Sequence, residues 1–198
     1  YVTFLDCDDL YLPERIEFQA NDMQKNNTVL SFGSWIEINA LGDVVKRHKF
    51  KSQSGNFFEK LLYKYNVNFQ TLMIDNDFLK NNEIHFDTEL TFSPDYDLVM
   101  KIALLNNISS VDIFLAKYRV HSKSMSHKYQ LDKYNDYNYI IKKLRDKGAS
   151  EKYPKFKYLS SAMLYRMKYK DHIKSNRYFS ALMSLICFIL LRLRATLI

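Results

Sequence analysis

The chain opens Tyr1-Val2-Thr3-Phe4-Leu5-Asp6-Cys7-Asp8-Asp9. The β-branched and aromatic residues that lead to Leu5 favour a short buried strand. The run then stops in carboxylates. On a strand, side chains two apart leave the same face, so Asp6 and Asp8 are expected side by side. Like charges held that close repel, and burying them unpaired is costly. A divalent cation removes the penalty, because Mg²⁺ and Mn²⁺ take hard oxygen ligands and often share one or two carboxylates with substrate phosphates. One reading is therefore a metal–diphosphate site at the C-terminal end of a strand, where open α/β sheets place ligands. The other is a solvated Asp-rich turn that caps the following helix.

The residues that follow carry a family likeness. Leu5-Asp6-Cys7-Asp8-Asp9, then Tyr11, Pro13-Glu14 and Gln19, resembles the metal-binding segment of family 2 glycosyltransferases, the large inverting class with a GT-A fold. There a strand ending in Leu-Asp-x-Asp-Asp precedes an aromatic, a Pro-Glu pair and a Gln-bearing helix. The resemblance implies that Asp6 and Asp8 hold Mn²⁺ or Mg²⁺ and, assisted by Asp9, contact the ribose and diphosphate of a nucleotide sugar.

Two further motifs come in the family's order. Phe92-Ser93-Pro94-Asp95-Tyr96-Asp97-Leu98 reads as a helix start, with Ser93 as N-cap, Pro94 at the first helical position and Asp95 in the first turn. Leu98, Ile102 and Leu105 then lie on one apolar stripe. An acid there stabilises the helix dipole. The segment also resembles the family's Glu-Asp-x-Asp-Leu motif, which implies that Asp95 is the general base that takes the acceptor hydroxyl's proton. Pro94 stands where the family usually has Glu, and Asp97 is expected to be a helix-turn residue. A helix N-terminus lowers the pKa of Asp95, whereas desolvation raises it.

Farther on, the stretch from Val111 to Val120 alternates toward its end, with Phe114, Ala116, Tyr118 and Val120 on one face and Leu115, Lys117, Arg119 and His121 on the other. Tyr118-Arg119-Val120-His121 resembles the family's closing Tyr-Arg-x-His strand, and a loop with Ser122, Ser124 and Ser126 around Met125 follows. His121 is either a third metal ligand or a surface group. Arg119 is suited to fork onto phosphate oxygens or to fix a carboxylate.

Between these motifs the periodicity predicts a helix over 13–24, a hairpin with strands over 28–38 and from Val44, a helix over 57–65 and a strand over 69–74. Trp35 either packs in the hairpin or stacks on a sugar ring. His85 reads as a surface or structural residue. The basic stretch 46–56 reads as a solvated loop. Helices are expected over 129–147, closed by Gly148, over 154–170, and from Ser175 to the end. The last contains an apolar run over 178–191 flanked by Arg177, Arg192 and Arg194. It is short for a bilayer span, and either packs as a core helix or lies in a membrane interface through 175–198.

The 198 residues carry a net charge of +7, which attracts anionic partners. No zinc-finger spacing, RNA-binding aromatic signature or Arg-rich arm accompanies it, so nucleic acid is excluded as a partner. Cys7 and Cys187 form no disulfide framework, and a reducing cytoplasmic setting is the default. The chain begins without Met inside a strand, and the family's nucleotide-gripping βα units would precede it; an N-terminally truncated fragment is the expectation.

The fold expected is α/β, a GT-A-like mixed sheet followed by a helical tail, with residues 1–126 as the catalytic and acceptor-side part and 127–198 as the helical extension. The function implied is inverting, metal-dependent transfer from a nucleotide-sugar donor, UDP-linked, to a saccharide or lipid-linked acceptor in cell-surface polysaccharide synthesis. Its place would be the cytoplasm or the inner face of the plasma membrane. The rivals are a basic membrane-peripheral or partner-binding domain without catalysis, and a HAD-type phosphatase. The latter wants Thr or Val where Leu10 stands.

Overall fold

The computed structural model describes residues 1–121 and 130–198, with the side chains of 130–132 left aside. The serine-bearing loop after His121 lies outside the described residues. Two compact units are present. The first comprises Tyr1–Phe57, Asn66–His85 and the strand that follows Leu105; the second comprises Phe58–Tyr65, Phe86–Leu104 and the C-terminal helices.

The first unit is a mixed sheet. Its two long members are β3 (Leu30–Ile38) and β7 (Ile108–Arg119), which run parallel. The short strands β1 (Val2–Thr3), β2 (Leu10–Tyr11) and β6 (Met73–Ile74) complete the order β1-β6-β3-β7-β2. Two more strands join antiparallel, β4 (Val44–His48) on β3 and β5 (Gln53–Gly55) on β7. β5 falls within the stretch expected to be a solvated loop. The β3–β4 hairpin forms as its sequence predicts: the Asn39 side chain accepts from the N–H groups of Leu41 and Asp43, and Gly42 takes φ 93° in the turn.

The opening strand is shorter and less covered than its residues suggest. It ends at Thr3, and Tyr1 and Leu5 are exposed, because β1 pairs only with β6 at the edge of the sheet. β7 also departs from simple alternation. Leu115 and Ala116 are both fully buried, since register shifts at Gly33, Ser34 and Trp35 of β3 turn the pleat.

Helix α1 (Arg15–Asn26) starts two residues after Pro13, because Glu14 takes a left-handed conformation at φ 65°. Its buried face is Arg15, Gln19 and Met23, and Ile16 and Phe18 point to solvent. The inversion has a physical cause. Arg15 donates to the carbonyls of Gln70 and, at 2.8 Å, Leu72, while the Gln19 amide donates to those of Thr71 and Ser31 at 2.9 and 3.1 Å. The segment 69–74, expected as one strand, is a 3-10 turn over Phe69–Thr71 followed by β6, and these carbonyls therefore face the helix. Asp75 caps α3 (Asn76–Asn81).

The second unit is helical. It contains α2 (Phe58–Tyr63), α4 (Pro94–Leu105), α5 (Gln130–Asp146), α6 (Ala149–Lys152), α7 (Phe156–Lys174) and α8 (Tyr178–Thr196). Gly148, at φ 84°, stands after the end of α5 as the sequence predicts, and the short α6 that follows it is not among the expected helices. α7 runs four residues past its expected end at 170, and α8 lies within the expected 175–198, continuing five residues past the apolar run. α4 is buried on nearly every side rather than along one stripe, and Leu105, expected on that stripe, is exposed. Phe58 stacks on Tyr153 and Phe156 at 4.3 and 6.1 Å, joining α2 to the start of α7.

The approach of β3 to β7 sets a sharp limit on one residue. A Cβ at Gly33 would lie 2.7 Å from side-chain atoms of both Leu115 and Val111, and 2.9 Å from the Val111 carbonyl oxygen. Gly33→Ala is therefore expected to destabilise the protein by about 1–3 kcal/mol, read as a lower midpoint in urea unfolding.

Candidate functional site

Asp6 to Asp9 form a tight turn rather than a strand end, with the Asp9 N–H donating to the Asp6 carbonyl at 3.2 Å. The alternation expected to set Asp6 and Asp8 side by side does not apply. Each carboxylate instead has its own partner. Asp6 is held by Gln70, whose amide oxygen accepts from the Asp6 N–H at 3.0 Å and whose amide nitrogen donates to Asp6 Oδ2 at 2.6 Å. Gln70 is itself buried and its carbonyl is gripped by Arg15. Nothing in the sequence signals this role, because Gln70 lies 64 residues away from Asp6.

Asp8 and His121 are brought together across 113 residues, with His121 Nε2 3.1 Å from Asp8 Oδ2. Both side chains remain about a third exposed, at 39% and 35%. Asp9 is buried and caps the end of β7, accepting from the Arg119 N–H at 2.6 Å. The Arg119 side chain closes the arrangement: Nε donates to the Asp8 carbonyl at 2.9 Å, and Nη1 to those of Asn39 and Ala40 at 2.9 and 3.1 Å. Arg119 thus ties the acidic turn to the end of β3, contacts its residue type makes easily with its forked donors.

Among the described residues no three His, Cys, Asp or Glu side chains converge as a metal cluster. Asp8 and His121 do offer a carboxylate oxygen and an imidazole nitrogen from one accessible position, a donor pair suited to Mn²⁺. Asp6 faces Gln70. Trp35 is packed, with 8% of its surface exposed and its ring stacked on His48 at 4.2 Å; His48 in turn lies 2.8 Å from Glu37.

Asp95 belongs to the helical unit. α4 begins at Pro94 as its sequence predicts, and the turn before it is pinned by Asp136, which accepts from the N–H groups of Phe92 and Ser93 at 2.8 and 2.9 Å. Tyr65 donates to Asp95 Oδ2 at 3.1 Å. Tyr65, Tyr96 and Tyr137 pack around this contact, with ring centroids 4.9 Å apart for the first pair and 4.2 Å for the second. Burial raises the Asp95 pKa, and the N–H of Tyr96 and the Tyr65 hydroxyl only partly counter it. Desolvation outweighs the helix terminus. Asp97, one turn into α4, is buried and paired with Lys101.

Burial also pushes the Asp9 carboxyl up to about 6; neighbouring Asp8 and Asp6 add to the rise, and the Arg119 N–H opposes it. Asp9 Oδ2 is buried without a hydrogen-bond partner among the described residues. The unfolded chain loses this proton near the ordinary carboxylate value, so between about pH 4 and pH 6 the folded state binds more protons and its stability falls as pH rises. In Asp9→Asn an amide oxygen still accepts from Arg119 and no charge is buried. Urea unfolding in EDTA is expected to show the variant about 1–3 kcal/mol more stable than the parent at pH 7.5, with the gain vanishing near pH 4.

No family model matches the chain. It is 30% identical over 130 residues to an uncharacterised glycosyltransferase of Methanocaldococcus jannaschii, covering 62% of this chain and 43% of that one. It is 29% identical over 128 residues to the Escherichia coli UDP-Glc:alpha-D-GlcNAc-diphosphoundecaprenol beta-1,3-glucosyltransferase WfgD, covering 64% and 48%. An uncharacterised glycosyltransferase of Rickettsia felis is 28% identical over 145 residues, covering 71% and 24%. The chain spans less than half the length of these relatives. Among solved structures, S. aureus TarS 1-349 in complex with UDP-GlcNAc superposes with a TM-score of 0.60 over 96% of this chain and 56% of that one, at 19% identity. The mixed α/β fold with a helical C-terminal region is thus shared with TarS 1-349, and the chain's named sequence relatives are glycosyltransferases.

Proposed function

We propose that this chain carries the transfer site of an inverting glycosyltransferase that moves a sugar from a nucleotide diphosphate, UDP-linked, to a hydroxyl of a saccharide or lipid-linked acceptor. The observation that carries the reading is the meeting of Asp8 and His121, residues 113 apart, at 3.1 Å in an accessible position. Two of the motifs that resemble the family therefore close on each other. WfgD, by its name, acts on a GlcNAc-diphosphoundecaprenol with UDP-Glc; that likeness supports a UDP donor and a lipid-linked acceptor here.

In this reading Asp8 and His121 would hold the divalent cation, Mn²⁺ or Mg²⁺, and Asp6 and Asp9 shape the turn that presents Asp8. The cation supplies positive charge beside the departing nucleoside diphosphate. Arg119 keeps the turn in place and lends positive charge to the donor's phosphates. Asp95 is the general base. Its raised pKa makes it a stronger proton acceptor than an exposed Asp, and the Tyr65 hydroxyl fixes one carboxylate oxygen so that the other is aimed. Inversion follows from a single base that deprotonates the acceptor hydroxyl as it attacks the face opposite the leaving group. All of these residues fall within 1–126, the segment proposed as catalytic, and the extension 127–198 supplies Asp136, which positions the start of α4.

Calorimetric titration of UDP is expected to give binding in Mn²⁺ that EDTA abolishes, and that Asp8→Ala and His121→Ala each weaken by at least about tenfold. UDP binding that is indifferent to metal and to both substitutions removes the assignment of the donor site. Asp95→Asn is expected to keep UDP affinity and lose about 10²–10⁴-fold in turnover, measured as UDP release with a polyprenyl-diphosphate GlcNAc acceptor. A variant with full turnover would exclude Asp95 as the base.

A further inference from the structure

Helix α8 has its faces the wrong way round for a soluble protein. It buries small residues, Ala181, Ser184 and Ala195, each 5% exposed or less. Its large side chains point outward: Phe179 is 78% exposed, Leu182 53%, Ile186 41%, Leu190 56% and Leu193 56%. Their spacing of three and four residues makes one continuous stripe along the helix. A contiguous apolar face of this kind marks a docking surface.

The charges around the stripe are of one sign. From Tyr178 to Ile198 the sequence has Arg192 and Arg194 and no acid, and Lys174 and Arg177 stand just before the helix. Arg192 lies over the Tyr63 ring at 4.4 Å, and Arg177 pairs with Asp171 while about half its side chain stays exposed. A second copy of this chain would bring like-charged ends together, with +7 on each partner. An anionic surface instead complements them.

By length and composition α8 could cross a bilayer, since it has 19 residues and is largely apolar. Its packing argues against that. α8 lies along α7 over much of its length, and α7 carries Lys157, Arg166, Lys168, Lys170 and Lys174. Taking α8 through hydrocarbon would drag these charges in or strip α7 away, and charged side chains are the costliest to place there. An in-plane position buries the stripe and leaves α7 in water.

We propose that the outer face of α8 docks on an anionic lipid bilayer, lying in the plane of the interface. Phe179, Leu182, Ile186, Leu190 and Leu193 enter the acyl boundary, and Lys174, Arg177 and Arg194 meet lipid phosphates. The contact stands on the geometry of the helical unit alone and holds whether or not the chain transfers sugar.

Co-sedimentation of the 198-residue chain with phosphatidylcholine vesicles, alone and with phosphatidylglycerol, tests it. Binding to the anionic vesicles is expected, at least about tenfold weaker on the zwitterionic ones and weakened by high salt. Leu182→Asp with Leu190→Asp should abolish it while circular dichroism and the thermal midpoint stay as in the parent. In a separate Leu190→Trp variant, tryptophan emission should shift to the blue on adding anionic vesicles, because Trp35 is already packed in the sheet. No binding to anionic vesicles overturns the proposal, as does equal binding by the double variant. A dimer at equilibrium sedimentation that the double variant abolishes, without vesicle binding, assigns the face to a second copy. Resistance to alkaline carbonate extraction would mean that α8 crosses the bilayer.

Discussion

A buried guanidinium holds the first unit together. Arg15 is 1% exposed, and an unpaired cation so deep in a sheet would be severely destabilising. It is tolerated because the carbonyls of Gln70 and Leu72, the Gln19 amide oxygen at 3.0 Å and the face of Tyr11 at 3.7 Å surround it. Burial brings its pKa down to about 10, which leaves it charged at neutral pH. Gln19 extends the same polar face to Thr71 and Ser31. α1 is thus attached to β3 and to the turn before β6 by hydrogen bonds where a conventional amphipathic helix would use Leu and Ile. Loss of Arg15 would leave carbonyls as well as a cavity, and unpaired buried acceptors are expensive.

The acidic turn depends on that attachment. Three carboxylates in four residues repel, and the protein separates them by giving each a different kind of partner. The Asp6 carboxylate receives the neutral amide N–H of Gln70, Asp8 has an imidazole, and Asp9 a main-chain N–H. Asp9 is the buried one of the three, and desolvation, with the neighbouring carboxylates, pushes its pKa up. The same competition is settled differently at Asp95, where one tyrosine hydroxyl and the helix terminus do not outweigh burial. Two carboxylates of one protein are thus pushed in the same direction by the same cause, one in a turn of the sheet unit and one at a helix start.

The fold was legible where pattern and chemistry agree. The hairpin around Gly42, the start of α4 at Pro94 and the Gly148 break carry backbone requirements in their residues, and the structure places them there. The run to Leu5 was misleading because an exposed edge strand and a buried one use the same residue types. α1 was legible as a helix but its inner face was not: Arg15 and Gln19 look like solvent residues until the carbonyls they meet are known. Asp8, Arg119, His121 and Asp95 lie in motifs visible in the sequence, whereas Gln70, Tyr65 and Asp136 have no local signature. Their roles come from contacts 30 to 64 residues away along the chain. Sequence spacing also predicted Asp6 and Asp8 on one face, which required the strand to continue; the i to i+3 bond of the turn ended it.

The braces on the acidic turn all come from later in the chain, at Gln70, Arg119 and His121, with separations of 64, 110 and 113 residues. Contacts this distant carry a loop-closure cost that local turns and helices do not, and they form after them. On a ribosome the four residues Asp6 to Asp9 emerge near the start of this segment, yet no partner for Asp8 or Asp9 exists until β7 has been synthesised. The site is therefore a late product of folding. A chain stopped short of Arg119 would hold every residue of the acidic turn and still leave Asp8 and Asp9 without their partners, so that assembly of the site doubles as a check that the sheet is complete.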